Sequence, residues 1–410
     1  MKVKSVLSIF LAGMMLISCA GCGKKEEAAS AAEESSEGGG MAESVEPAGA
    51  GDNVILIGAS CSLTGGEPKD GLRMRQGIEM AVDEVNEAGG IEIDGTAYNL
   101  MLDVQDDAGT TEGAISAFNK LASEQCKVII GPFKAGAAKA VADLAEQQGI
   151  PYFTGSASTT LDDLNTDKIF RVRSSDRLMV EVAAEVCAKR FEAQKVGMLY
   201  VSDDFGTSAM NEAQKCLDKL GRELVVETYN ANDADMSGQL LKLKNSDVDC
   251  LLIWAYDADM VVISRQINDL GIDLPVCSSN SPAMAQVREL MNAEWIEGWY
   301  TVTDFCETVE TEEGVHFRNA FRERYDADPE MFSAVFYGAV KCVAQAITDA
   351  QSADPEAIKD ALHQLDGVKG PAGTYVAGEK GLLVHQGTLV QIKDNLPEFV
   401  DIYYEEGYQF

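Results

Sequence analysis

Histidine is almost missing from this 410-residue chain: His316, His363 and His385 are its only three, and none is spaced with cysteine as the ligands of a zinc site are. The chain has no GxSxG elbow, no Walker phosphate loop and no HExxH helix, so common hydrolytic, nucleotide-dependent and metalloprotease chemistries lack their usual parts. Its carboxylates are too many to single out a catalytic pair. The expectation is a protein that is not an enzyme and carries no cofactor or metal. Basic charge is also scarce, with 33 Lys plus Arg against 67 Asp plus Glu and a formal charge of −34. Such a surface repels phosphate backbones and excludes nucleic acid as a partner. Long apolar runs are few, and beyond the N-terminus no segment is expected to reach the roughly 20 residues needed to cross a bilayer.

What is present is ample apolar material. Hydrophobic residues make up 46% of the chain, enough for one large or two ordinary packed domains and too much for a disordered or fibrous one. At the N-terminus, Lys2 and Lys4 precede an apolar run from Val6 to Ile17 that ends in small residues and cysteine, the pattern of a secretory signal. The segment LISCAGCGKK resembles a bacterial lipobox, which implies that one cysteine is acylated and becomes the mature N-terminus. Cys19 has the usual leucine three residues upstream, whereas Cys22 leads directly into a polar stretch and is the favoured acceptor, giving a signal peptide over 1–22. Residues 23–53 are Ala, Ser, Gly and Glu, with eight acids against two lysines, and read as a flexible tether. The other eight cysteines form no CxxC pair, and several occupy places suited to small apolar residues, so buried free thiols are expected.

From Val54 onward, short apolar runs alternate with amphipathic stretches. VILIGAS is followed by a helix whose Ile78, Ala81, Val82 and Val85 share one face and which ends at Gly89 and Gly90. NLMLDVQDD, a helix near 112–124, KVIIGP, a helix near 137–148 and IPYFTG continue the series. A second series runs KVGMLYVSDD, helix 208–220, ELVVETY, helix 239–245, CLLIWAY, helix 260–270 and LPVCSS. After GWYTVTDF come helices near 314–325 and 334–350, a short helix from Pro355, and a final hairpin TLVQIKDNLPEFVDIYY turning at Asn395-Leu396-Pro397. Continuous apolar strands alternating with helices describe parallel sheets covered on both faces. Ligands of such sheets bind beyond the carboxyl ends of the strands.

In order, IGASCSLTG, GIEMAVDEVNEAGGI, DVQDDAG, VIIGPFKAGAA, IPYFTGSAST, VSDDFGTS and TLVQIKDNLPEFV resemble the leucine/isoleucine/valine-type solute-binding proteins of the type 1 periplasmic-binding fold. The resemblance covers about 350 residues from Val54. It implies an α/β fold of two doubly wound parallel-sheet lobes joined by a three-segment hinge. Lobe 1 would combine 54–172 with 303–380, and lobe 2 would combine 173–302 with 381–410. It further implies a lipid-anchored extracytoplasmic protein of an ABC uptake system that closes over a small amino-acid-like ligand and delivers it to a membrane permease. The same fold also serves sensory receptors, and a non-amino carboxylate or an amide is the alternative ligand.

Site residues follow from the resemblance position by position. Ala135 and Gly136 open a helix whose free N–H groups suit a carboxylate, although the family usually has serine where Ala135 stands. Ser156 corresponds to a carbonyl that holds the ligand amine, and Ser158 to a hydroxyl that touches amine and carboxylate; both also suit helix capping. Phe205 and Tyr256 correspond to aromatics that face the cleft, and Phe332 to a wall residue. Asp70 stands where an aromatic is common. Asn280 replaces the glutamate that meets the ligand ammonium, which leaves Asp257 or Asp70 to supply that charge, or else a ligand without an amine. Asp106 and Asp107 match an acidic strand end and are read as loop and cap residues.

Overall fold

The computed structural model describes residues 53–384 and 386–407. The signal segment, Cys19, Cys22, nearly all of the tether and His385 lie outside the described residues. The first series of elements is β1 (Val54–Cys61), α1 (Pro68–Glu87), β2 (Ile91–Ile93), β3 (Thr96–Asp106), α2 (Thr111–Ser123), β4 (Ile129–Ile130), α3 (Ala135–Gln148), β5 (Tyr152–Thr154) and β6 (Ile169–Arg171). The second is α4 (Asp176–Glu185), β7 (Lys195–Val201), α5 (Asp204–Lys219), β8 (Glu223–Tyr229), α6 (Ser237–Asn245), β9 (Cys250–Trp254), α7 (Asp257–Asp269) and β10 (Val276–Ser278). Then follow α8 (Ala285–Arg288), α9 (Ala293–Ile296), β11 (Tyr300–Thr303), α10 (Glu312–Tyr325), α11 (Met331–Ala350), α12 (Pro355–Leu362), β12 (Val368–Gly370), β13 (Gly373–Tyr375), β14 (Gln386–Lys393) and β15 (Leu396–Tyr404).

Two sheets organise these elements. The six-stranded sheet runs β2-β3-β1-β4-β5-β6 and the seven-stranded one β15-β14-β11-β10-β9-β7-β8. Their cores, β3-β1-β4-β5-β6 and β8-β7-β9-β10-β11, are parallel and share one winding order, with antiparallel strands only at the edges. Strand order reverses between β1 and β4 in one sheet and between β7 and β9 in the other, and a crevice opens at each reversal. At the first, Gly131 ends β4 at φ 98°, where a Cβ would stand 2.1 Å from the Ser60 carbonyl oxygen, so the loop that follows passes tight against the end of β1.

The chain crosses between sheets three times, after β6, after β11 and before β14, and these crossings are tied together. Arg173 Nε donates to Asp304 Oδ2 at 2.7 Å, and the Ser174 amide donates to Asp304 Oδ1 at 2.7 Å. Ser174 Oγ donates to the Gln386 carbonyl. The tether of both lobes is therefore a hydrogen-bonded bundle with a buried ion pair at its centre.

Two expectations are corrected. Met331–Ala350 is long and apolar enough to cross a membrane by length and composition, contrary to the reading of the sequence, but α11 is mostly buried against α1 and the first sheet, as a core helix is. The final hairpin turns at Asp394-Asn395, with φ of 50° and 60°, and Leu396 and Pro397 already belong to β15. A two-residue turn with both φ values positive matches the twist of the strands, and Asp and Asn tolerate that conformation. All eight cysteines from Cys61 to Cys342 are buried and free.

Candidate functional site

The loops after β1, β4, β5, β7, β9 and β10 converge on one cavity with about 470 Å³ of space, part of it open to solvent. From the first lobe, Glu67, Asp70, Phe133 to Ala135, Gly155 to Ala157 and Phe332 line it; from the second, Phe205, Ala255 to Asp257, Asn280 and Ser281 do; and Arg173 reaches it from the crossing after β6. Local chemistry explains the placement. Asp203 caps α5 by accepting from the Phe205 and Gly206 amides at 3.0 and 3.1 Å, and its other oxygen accepts from the Tyr256 hydroxyl at 2.8 Å. That shared carboxylate stacks the Phe205 and Tyr256 rings, with centroids 5.1 Å apart, and Trp254 lies behind Phe205 at 6.1 Å. Phe332 is fixed by the capping box of α11, where Glu330 accepts from the Phe332 and Ser333 amides. By contrast, no side chain caps α3, so its first N–H groups, beginning at Ala135, are left for solvent or a ligand.

Charge is divided unevenly round the cavity. Lys134 pairs with Glu67 at 3.1 Å and lies over the Tyr256 ring. Arg173, paired with Asp304, also reaches Asn280 Oδ1 at 3.4 Å and lies over Phe332. Asp70 accepts from Gln286 Nε2 at 2.9 Å, and Asp257 accepts from Ser281 Oγ at 2.6 Å. Burial, then the charges of Asp257 and Glu67, pushes the Asp70 carboxyl well above the usual carboxylate range. Burial likewise pushes Asp257 up to about 7, against the Ser281 hydrogen bond and aided by the charges of Glu67 and Glu330. Glu330 is pushed up to about 8 by burial and the charge of Asp70. Such carboxylates favour a ligand that brings positive charge.

Ala135, Ser156, Phe205, Tyr256, Asn280, Asp70, Phe332 and Asp257 thus meet in one place. Two expected residues do not join them. Ser158 is fully buried outside the lining: its Oγ meets Thr160 Oγ1 at 2.9 Å and donates to the Asp204 carbonyl at 3.3 Å, while capping the 3-10 turn Thr159–Asp163. Gly136 lines the adjoining outer groove with Gly109, Thr111, Asp203 and Asp204, because the helix turns it away from the cavity floor. Asp106 and Asp107 serve loops, accepting from Leu63, Thr64 and Ala108 amides and from Ser60 and Ser62 hydroxyls. Sequence reasoning missed Arg173 and Glu67. A signal for Arg173 existed, since two arginines at alternate positions of a buried strand end, FRVR, each demand an acidic partner.

The sequence profile of the family described as periplasmic binding protein matches residues 54–396. The chain belongs to that family. This periplasmic binding protein has the type 1 fold and the family's solute-binding role, exercised outside the cytoplasm. It is similar to Leu/Ile/Val-binding protein homolog 7 of Brucella abortus, with 26% identity over 308 residues, which span 71% of this chain and 76% of the relative. LivJ of Streptococcus pneumoniae, the branched-chain amino acid transporter substrate-binding protein in complex with isoleucine, has a TM-score of 0.76 at 24% identity over 85% of this chain and 99% of its own. The ABC transporter solute-binding protein of Rhodopseudomonas palustris in complex with 3,4-dihydroxybenzoic acid has a TM-score of 0.77 at 17% identity over 86% and 97%.

Proposed function

We propose that this periplasmic binding protein is the capture component of an ABC uptake system, taking an amino acid by hinge closure and presenting it to a membrane permease. One observation carries the choice of ligand: the uncapped start of α3 and the carboxylates of Asp257 and Asp70 line the same cavity. A helix N-terminus suits a carboxylate and an acidic pair suits an ammonium, so the cavity complements a zwitterion. Asn280, engaged with Arg173, leaves the ammonium to the two aspartates. The isoleucine complex of the pneumococcal relative supports an amino acid, while the dihydroxybenzoate complex belongs to a relative whose ligand has no amine.

The lobes close because a ligand held by one sheet's loops gains the other's aromatics only on closure. Acylation at Cys22, or at Cys19, would hold the protein at the membrane beside its permease, with residues 23–53 as the tether. Calorimetry with the amino acids, small amides and aromatic acids tests the ligand class. An α-amino acid is expected to bind, and Asp257→Asn is expected to weaken it by about 2–5 kcal/mol, because the truncation strands a buried ammonium. Tight binding of an aromatic acid together with no binding of any amino acid would reverse the proposal.

A further inference from the structure

Asp70 stands on α1 in the first lobe and Asp257 at the start of α7 in the second, and their carboxyl groups are within hydrogen-bond reach of each other at the cavity. Two ionised carboxylates have no hydrogen to share, so this contact needs a proton or a cation between them. The side chains bonded to the pair supply neither charge nor a titrating proton: Asp70 accepts from the Gln286 amide and Asp257 from the Ser281 hydroxyl, while Asp257 Oδ2 is buried without a donor. The charged groups facing the pair sharpen the need. Glu67, in the turn before α1, and Glu330, at the cap of α11, both add negative charge at Asp257. Lys134 is engaged by Glu67 and Arg173 by Asp304, and Arg73, the nearby cation of α1, donates to Gln76 and lies over the Phe321 ring. From the second lobe, the Tyr256 hydroxyl is given to Asp203, and Asp259 accepts from the Asn232 amide.

We propose that Asp70 and Asp257 form one cation-binding position shared by the two lobes, for which a proton and the ligand's α-ammonium compete. The proposal rests on the amino-acid reading and deepens it. With the proton in place the pair carries one negative charge. When the ammonium enters, its positive charge favours the ionised carboxylates and the proton leaves to water, so pair and ammonium together again carry one negative charge. Capture of the ligand therefore leaves the net charge of this position unchanged. Because each lobe contributes one carboxyl group, the position is complete only when the lobes are drawn together. A group protonated in the free protein and ionised in the complex makes affinity rise with pH until the free pair ionises.

Calorimetry on the mature protein with the common L-amino acids selects the tightest binder, which is then titrated at pH 7 in phosphate and in Tris, buffers of different ionisation enthalpy. Roughly half to one proton is expected to be released per ligand bound, and affinity is expected to fall about tenfold or more from pH 8 to pH 5.5, with melting curves showing a folded protein at both. Asp257→Asn replaces the shared proton by an amide hydrogen that does not titrate. It is expected to bind more weakly and to lose both the proton release and the pH dependence; where its binding is too weak to titrate, the wild-type protein decides alone. Release that persists in Asp257→Asn belongs to another group and overturns the exchange. An amino acid that binds wild-type protein without releasing a proton, and equally well at pH 5.5 and pH 8, overturns the exchange and leaves the amino-acid reading standing. Binding by no amino acid at all overturns both.

Discussion

A carboxyl group that loses its water and gains another carboxyl as neighbour keeps its proton to higher pH, and that shift is also a statement about stability. Asp257 and Glu330 are pushed up to about 7 and about 8, and Asp176, buried at the start of α4, to about 7. In the unfolded chain these groups titrate near 4. Below that pH both states are protonated, and as pH rises from about 4 towards 8 the unfolded state ionises first, so folding stability falls across that window. The ligand-free protein is therefore expected to melt at a higher temperature at pH 5.5 than at pH 8. The chain's overall negative charge acts in the same direction. Asp257→Asn separates the two, because it should flatten the slope by removing one group; an unchanged slope would show that Asp257 is ionised without penalty. That Asp70, Asp257 and Asn280 line one cavity was legible because they follow strands in a recognisable order. Arg173 was not placed, since its partner Asp304 lies 131 residues away and only the hinge brings them together. Ser158 lies outside the cavity lining and caps the 3-10 turn, the second of the two roles open to it in the sequence, because capping and ligand binding ask for the same hydroxyl.

Among the helices, the packing of α1 on α11 sets where Phe332 stands. A Cβ at Gly77 would lie 2.1 Å from the Ser333 carbonyl oxygen, in the first turn of α11 beside the capping box. In an exposed helix, Gly→Ala would stabilise by about 1 kcal/mol through propensity. Here the clash is with backbone, which cannot swing aside as a side chain can. Gly77→Ala is expected to destabilise by about 1–3 kcal/mol in urea titration and to weaken ligand binding through the displaced Phe332; a stabilised variant would mean that the two helices do not meet so closely. Element type was readable where apolar periodicity was long, as in β1, α1, β7 and α11. It failed for β2, three residues long, which owes its pairing to the neighbouring β3. The hairpin turn was offset by one residue because proline drew the assignment, whereas the positive φ values fall on Asp394 and Asn395.

For the whole molecule, contacts across the cleft draw the lobes together: Gln286 to Asp70, the Thr159 amide and hydroxyl to Ser208 Oγ at 3.1 and 2.9 Å, and Ser158 to Asp204. The doubly wound order of both sheets was legible from the repeated alternation of strands and helices. The three-segment hinge was implied by the family resemblance; the hydrogen bonds that tie its crossings were not, because their partners come from distant parts of the sequence. Membrane attachment belongs to this scale too. Mass spectrometry of the membrane fraction is expected to find a mature N-terminus at Cys22 or Cys19 carrying acyl chains, and an unacylated N-terminus would sink the anchor. The ring stack behind the cavity has a further, optical consequence. Trp254 is one of three tryptophans in the chain and lies one ring behind Phe205, which faces the ligand space. The indole is shielded from water, its nitrogen has no hydrogen-bond partner, and it packs on Phe205, which is itself stacked on Tyr256. A solute that presses on those rings alters the environment of a native fluorophore, which turns the resting protein into a label-free sensor of its own cargo.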